Sequence, residues 1–429
     1  MSEPDTILNL FTRTRRRFPA LNGSSVGEKY LYLNSGAGSL MVDSALQAIN
    51  SAASSLNPMP GEVTPVEKQT FQFHNQVRKM VAEFIGASSL EEISFHFSTT
   101  NALFNLAFSL GSVFKPGQNC LVTDLDHFAN ISPWETVAAS LGAEIRTVRL
   151  NPDLTLNRLD LLDKLDANTV MVAVTAASNA LGTILPLTDL ISEIKEKSRA
   201  LVVVDAVHLA PHSPIDVREI GCDFLAFSGY KIFGPMVGIL FSRKEVLSQV
   251  TPYRVETNRN SPPYFWEQGM LPNINLAGLK GALDYLFELG QIVVKKDPSA
   301  TPPKVFRRAM EAIKKYEQSL SLYFLERLKK LNSSRLRLYG INNSSKVVSR
   351  TPTFAIEISG LNPTELKKLF WETGRIVIAD GNHYSAAVVR HLKKQALNRV
   401  SLAHYDSPES IDLFFESLEK IIFFNRHYS

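Results

Sequence analysis

The chain has 429 residues, of which 45% are hydrophobic and 21% charged, enough to bury the core of one large or two ordinary globular domains. Its 46 Lys and Arg against 42 Asp and Glu leave a formal charge of +4, too small an excess to indicate a nucleic-acid surface, and the one basic run, Arg13 with Arg15, Arg16 and Arg17, reads as a solvated helix face. Two cysteines, Cys120 and Cys222, exclude a disulfide framework or a Cys-rich metal site; no apolar run is long enough to span a bilayer and the start MSEPDTILNLF lacks a signal-peptide core, so a cytoplasmic protein with reduced, buried thiols is expected.

In chain order, short apolar runs predict strands at Ile93 to Phe97, Cys120 to Thr123, Glu144 to Val148, Val170 to Thr175, Leu201 to Asp205, Phe224 to Phe227 and Gly238 to Phe241. Most are separated by enough residues for a helix, which predicts a mostly parallel α/β sheet covered on both faces. Leu103, Leu106, Ala107 and Leu110 fall at helical spacing after Ser98-Thr99-Thr100-Asn101, so this polar group is expected to cap a helix. Residues 252 to 272 read as loop, and Leu276 to Leu289 as helix. A smaller unit is expected to hold a helix around Arg307 to Leu331, strands near Thr353 to Ile358 and Arg375 to Ile378, and a final helix from Pro408 to Phe424. The predicted division is an amino-terminal arm over 1–30, a large domain over 31–290 and a small carboxyl-terminal domain over 291–429.

Chemistry concentrates at two strand ends. Asp205 closes the run Leu201 to Val204, and Lys231 lies just past Phe224 to Phe227 in Ser228-Gly229-Tyr230-Lys231. These are the two protein groups that pyridoxal phosphate (PLP) chemistry needs: an amine that forms a Schiff base with the aldehyde, and a carboxylate that keeps the pyridine nitrogen protonated. A Ser/Thr cluster opening a helix suits a phosphate dianion, because backbone N–H groups and the helix dipole both favour negative charge.

Taken together, these motifs resemble the class V aminotransferase and cysteine desulfurase family of fold-type I PLP enzymes, in a cysteine desulfurase-like branch. The likeness runs from Tyr32-Leu33-Asn34-Ser35-Gly36-Ala37-Gly38 to Arg399-Val400-Ser401-Leu402, with five motifs in the family's order. It implies an aspartate aminotransferase-like fold, with a large, mostly parallel seven-stranded domain and a smaller α/β domain, in a homodimer without nucleic-acid or membrane partners. It further implies that Thr99, Thr100, Ser228 and Tyr230 hold the phosphate region, that His127 lies flat on the pyridine ring, and that Asn179 and His208 lie near the phenolic oxygen. Arg399 would grip the substrate's α-carboxylate, with Asn179 beside it; His212 reads as structural. Lys231, His127 and Asp205 are the expected catalytic groups.

Two departures from the family pattern stand out. The loop where desulfurases carry a nucleophilic cysteine reads Asp380-Gly381-Asn382-His383-Tyr384-Ser385-Ala386, and no cysteine follows Cys222. The family's Gly-Thr pair reaching the phosphate from the neighbouring subunit is Gly269-Met270, and methionine cannot donate a hydrogen bond. The expected function is therefore action on a small amino acid through a Lys231 Schiff base, by desulfurase-like or carbon-sulfur lyase chemistry without a persulfide cysteine. An aminotransferase or epimerase, and a non-catalytic PLP-fold binding protein, are the alternatives. His383 or Tyr384 would serve as an acid for a leaving group, or simply pack.

Overall fold

A computed structural model describes residues 10–22, 29–56 and 59–424. The remainder of the arm expected over 1–30, and the last five residues, lie outside the described residues. Seven apolar runs form one sheet: β1 (Ile93–His96), β2 (Asn119–Thr123), β3 (Glu144–Val148), β4 (Thr169–Thr175), β5 (Leu201–Asp205), β6 (Phe224–Ser228) and β7 (Gly238–Ser242), in the order β1-β7-β6-β5-β4-β2-β3. From β3 to β6 every pairing is parallel, whereas β7 runs antiparallel to both β6 and β1.

Near-continuous apolar strands are what a sheet buried on both faces requires. Val172, Val174, Val202, Val204, Leu225 and Phe227 feed one hydrophobic cluster, while Met171, Ala173, Leu201, Val203, Phe224 and Ala226 feed the other. The parallel strands all point their carboxyl ends the same way, so the residues that follow them gather along one edge. In open α/β sheets that edge is where ligands bind.

The helix α1 (Asp43–Ser55) was not among the expected elements, whereas α2 (Thr99–Leu110), α3 (Asn273–Val293), α4 (Pro302–Leu331) and α5 (Pro408–Phe424) match the expected helices, with α3 and α4 starting earlier than apolar spacing alone indicates. Ser98 caps α2, its side chain accepting from Asn101 N–H at 3.1 Å. A four-stranded antiparallel sheet follows in the order β10-β11-β9-β8, from β8 (Leu336–Tyr339), β9 (Thr353–Ile358), β10 (Ala379–Gly381) and β11 (Leu397–Ser401). The strand expected at Arg375 to Ile378 shrinks to Ile376–Val377, because Arg375 takes a left-handed conformation (φ 53°) that ends the preceding helix. Those two residues pair in parallel with Leu31–Tyr32 as a separate two-stranded sheet, and the next bridge, Asn34 to Ser401 of β11, ties this segment to the smaller sheet.

Gly238 shows how tightly the sheet edge is built. A Cβ there would lie 2.3 Å from the Ser98 carbonyl carbon and 2.7 Å from Thr99 N, both backbone atoms that cannot swing aside. The first turn of α2 thus rests on bare main chain of β7. Gly238→Ala should lower the unfolding free energy by about 1–3 kcal/mol, read as a fall in the urea midpoint with an unchanged slope.

Candidate functional site

The segments after β2, β4, β5 and β6 converge with the Asn34–Gly38 turn and with Arg399 of β11 into one cleft. At its floor, Thr99 Oγ1 donates to Phe227 O at 2.8 Å and shares a 2.5 Å hydrogen bond with Ser228 Oγ, which joins the start of α2 to the end of β6. Thr100, next to it, is exposed. A helix leaves the N–H groups of its first turn without intrahelical acceptors, so hydroxyls and amides are presented here together.

Asp205, the last residue of β5, is 4% exposed. One of its oxygens accepts from Val207 N–H at 2.9 Å. Burial raises its pKa from 3.8 to about 6, against the opposing pull of that N–H and of Lys231. On the neighbouring strand, the 3-10 turn Gly229–Lys231 places the Lys231 amine 6% exposed, donating to Gly36 O and 5.2 Å from the Tyr230 ring centre. Burial depresses the amine from 10.5 to about 7; Arg399 adds to the fall and Asp205 opposes it.

Arg399 is 3% exposed, and its hydrogen-bond partners among the described residues are Asn179 and Asn34 rather than a carboxylate. Nη1 donates to Asn179 O at 2.8 Å, Nη2 reaches Asn34 Oδ1 at 3.5 Å, and Nε is buried with no hydrogen-bond partner. Burial lowers even this guanidinium to about 10. On the sheet it sits between Ala355 and Ala379, the small neighbours a large side chain needs, and a Cβ on Gly36 would come within 3.0 Å of its Cζ.

His127 begins the 3-10 turn after β2, with Nδ1 accepting from Ala129 N–H at 3.0 Å, so in the neutral ring Nε2 carries the proton. Burial, then Lys231 and Arg399, depress its pKa to about 4. The imidazole is neutral at pH 7. Just before it, Asp126 is buried against Thr123 Oγ1 (2.5 Å) and Asn130 Nδ2 (2.7 Å), and burial raises it to about 8.

The loop over 380–386 closes the cleft from the smaller sheet. His383 (φ 53°) and Tyr384 (φ 55°) are consecutive left-handed residues, a conformation that costs about 1–2 kcal/mol per L-residue. Both ends of the Asn179 amide hold the turn: Nδ2 donates to His383 O at 2.7 Å, and Oδ1 accepts from Ser385 Oγ at 2.5 Å. The Tyr384 ring stacks on His127, centroids 5.3 Å apart and planes inclined by 28°.

His208 faces Thr353 Oγ1 (3.0 Å) and Thr351 Oγ1 (3.2 Å) through Nε2, while Nδ1 is buried without a partner. His212 pairs with the buried carboxylate of Glu317 at 2.8 Å. Gly36, the two threonines and Asp126 were not singled out from the sequence. Asp126 offered a signal, an acid in the turn that follows an apolar strand; the others become visible only once distant segments meet.

Comparison with known proteins identifies the family. The sequence pattern of the family described as Aminotransferase class-V matches residues 31–300 and 305–414. A cysteine desulfurase of Yersinia pseudotuberculosis is 30% identical over 427 residues, covering 95% of this chain and 97% of its own length. The apo structure of a cysteine desulfurase from Thermococcus onnurineus NA1 superposes with a TM-score of 0.84 at 24% identity, covering 96% of this chain and 97% of that one. A C-DES mutant with glycine covalently linked to its PLP cofactor superposes at 0.76 with 18% identity, covering 94% and 98%. These two likenesses are of fold. With the family pattern spanning both sheets and the cleft between them, this chain belongs to the class V aminotransferase family of PLP-dependent enzymes, in which it is cysteine desulfurase-like.

Proposed function

We propose that the chain acts on a small amino acid through PLP held by Lys231, by desulfurase-like or carbon-sulfur lyase chemistry without a persulfide cysteine of its own. The observation that carries this reading is a buried amine, acid and guanidinium sharing one cleft, with the guanidinium lacking any counter-charge among the described residues. The donor set fits the cofactor. Thr99, Ser228 and the first turn of α2 suit its phosphate, Asp205 suits a protonated ring nitrogen, and the neutral face of His127 suits a stacked ring. Bound there, PLP supplies an aldehyde for the amine and a ring that withdraws electrons from the substrate Cα.

The protein's own groups divide the remaining work. Arg399 takes the substrate carboxylate with parallel N–H donors and fixes the orientation of the Cα bonds. Lys231, whose amine burial brings down to about 7, removes and returns the Cα proton. Asp205 gains full ionisation beside a ring cation and holds it in place. Tyr230, with its ring centre 5.2 Å from the Lys231 amine, and buried His208 stand beside these groups.

The curated relatives are named cysteine desulfurases. In this chain Cys120 and Cys222 are buried and their thiols are pushed up to about 12, which leaves almost no thiolate at neutral pH. A sulfur leaving the substrate would therefore depart as hydrosulfide or pass to an external thiol.

We also propose a homodimer. Exposed Phe108 and Tyr253 meet with ring centres 5.2 Å apart, and the segment over 268–275, which carries exposed Met270 and Ile274, is hydrogen-bonded to Tyr253 and Met236. Such a patch suits burial by a second copy. Sedimentation should give twice the chain mass, and Met270→Glu should shift it toward one; a wild-type monomer at micromolar concentration would end this part of the proposal.

Purified protein given PLP should turn yellow, and borohydride should fix the cofactor on Lys231; Lys231→Ala should stay colourless after reduction and gel filtration. Cysteine should then yield sulfide with pyruvate and ammonia, or alanine when a thiol acceptor is present. Oxo acid formed only with a second keto acid would show an aminotransferase instead.

The amine makes a separate, cofactor-free test. In apo protein carrying isotope-labelled lysine, the Lys231 resonance should titrate near pH 7 rather than 10.5, because its charged form is the one disfavoured by burial. Asp205→Asn should move that midpoint lower still, since the carboxylate favours the ammonium. No titration below pH 10 would contradict the proposed environment.

A further inference from the structure

Tyr384 is 73% exposed, so the burial of apolar area does not account for where its ring lies. The ring is nevertheless aimed. Two left-handed residues turn the chain at its base, Asn382 Oδ1 accepts from Tyr384 N–H at 2.9 Å, and both ends of the Asn179 amide clasp the turn. Phe128 N–H donates to Tyr384 O at 2.7 Å, which registers the loop against the same turn that carries His127. His127, by contrast, is held in its own segment by one hydrogen bond at Nδ1; no hydrogen bond is made at Nε2 among the described residues. A single bond to a backbone N–H sets where one nitrogen points and leaves the plane of the ring to be fixed by packing.

We propose that Tyr384 is a positioning residue for His127, its stacked ring fixing the plane of the imidazole at the mouth of the Lys231 cleft. The strained turn is then the device that delivers the ring, and the Asn179 clasp is what keeps the strain in place. The hydroxyl is not part of this role. What counts is an aromatic face at the stacking distance, so phenylalanine replaces tyrosine and an aliphatic side chain does not.

The inference rests on the reading of His127 as a ring-facing group, and its test separates the two. In apo protein, the carbon-bound ring protons of His127 should keep their positions in Tyr384→Phe and move downfield in Tyr384→Leu, as the ring current of the partner is lost. PLP affinity, followed by absorbance, should be unchanged in the first variant and weaker by about three- to tenfold in the second. Both substitutions are at an exposed position and leave the core untouched. Unmoved His127 signals in Tyr384→Leu, or equal effects in both variants, would overturn the proposal, as would displaced signals with unaltered PLP affinity. If the wild type binds no PLP at all, the functional reading fails, and the His127 signals alone still decide whether Tyr384 sets the ring.

Discussion

Two cations and one anion share a cleft too dry to solvate them, and most of the site's properties follow from that imbalance. Lys231, Asp205 and Arg399 are all less than a tenth exposed. Arg399, even depressed to about 10, keeps its proton at neutral pH. The adjustment therefore falls on Lys231, which Arg399 and burial together bring to about 7, and on Asp205, which burial lifts to about 6. A guanidinium with one nitrogen buried and unpartnered is a standing demand for a carboxylate. A carboxylate near its own pKa is a demand for a cation. A zwitterionic substrate and a protonated heteroaromatic ring answer both demands, which is why the electrostatics of the empty-handed side chains point to an amino acid on PLP.

The architecture concentrates these groups by giving each a short, rigid route to the cleft. Asp205 ends β5 and Lys231 lies in the 3-10 turn that directly follows the adjacent parallel strand β6, so the β5–β6 ladder sets the two ends from which they start. Arg399 arrives from the other sheet, between two alanines. The turn at Gly36 touches both cations: its carbonyl accepts from Lys231, and its missing side chain leaves space for the Arg399 guanidinium. The Asn34–Ser401 bridge, with Ser401 N–H donating to Leu33 O and Ser35 N–H to Ser401 O, holds that turn against the smaller sheet. A small movement between the sheets would thus be felt at the amine and the guanidinium together.

How much of this was legible in the sequence depended on whether the cause was local. Leu201 to Asp205 emerges with the expected bounds because its uninterrupted apolar residues have few other places to go, and Glu144 to Val148, at the sheet edge, does so with Ile145 and Val148 set among polar and β-branched residues. Ser98 could be read as a cap because its bond to Asn101 N–H spans three residues. The residues of the cleft were legible by chemical type and by their place at strand ends. Their partners were not. That Nε2 of His208 would meet Thr351 and Thr353, or that the Asn179 amide would clasp residues more than two hundred positions away, depends on how two sheets pack, and no local pattern encodes it. The brief pairing at Ile376–Val377 was over-read for a related reason: the apolar run continues to Ile378, but the left-handed Arg375 delays the start of the strand.

The loop over 380–386 joins these threads. Its sequence was notable for lacking a cysteine, which by itself says only what the loop cannot do. Its conformation is more informative, because consecutive left-handed residues outside glycine persist only where surrounding bonds over-determine them. Here those bonds come from Asn179, whose main-chain oxygen also accepts from Arg399. One residue therefore connects the proposed carboxylate grip to the aromatic ring over His127. A substrate carboxylate taken by Arg399, as proposed, would compete for the guanidinium with the main-chain oxygen of the residue whose side chain holds the loop.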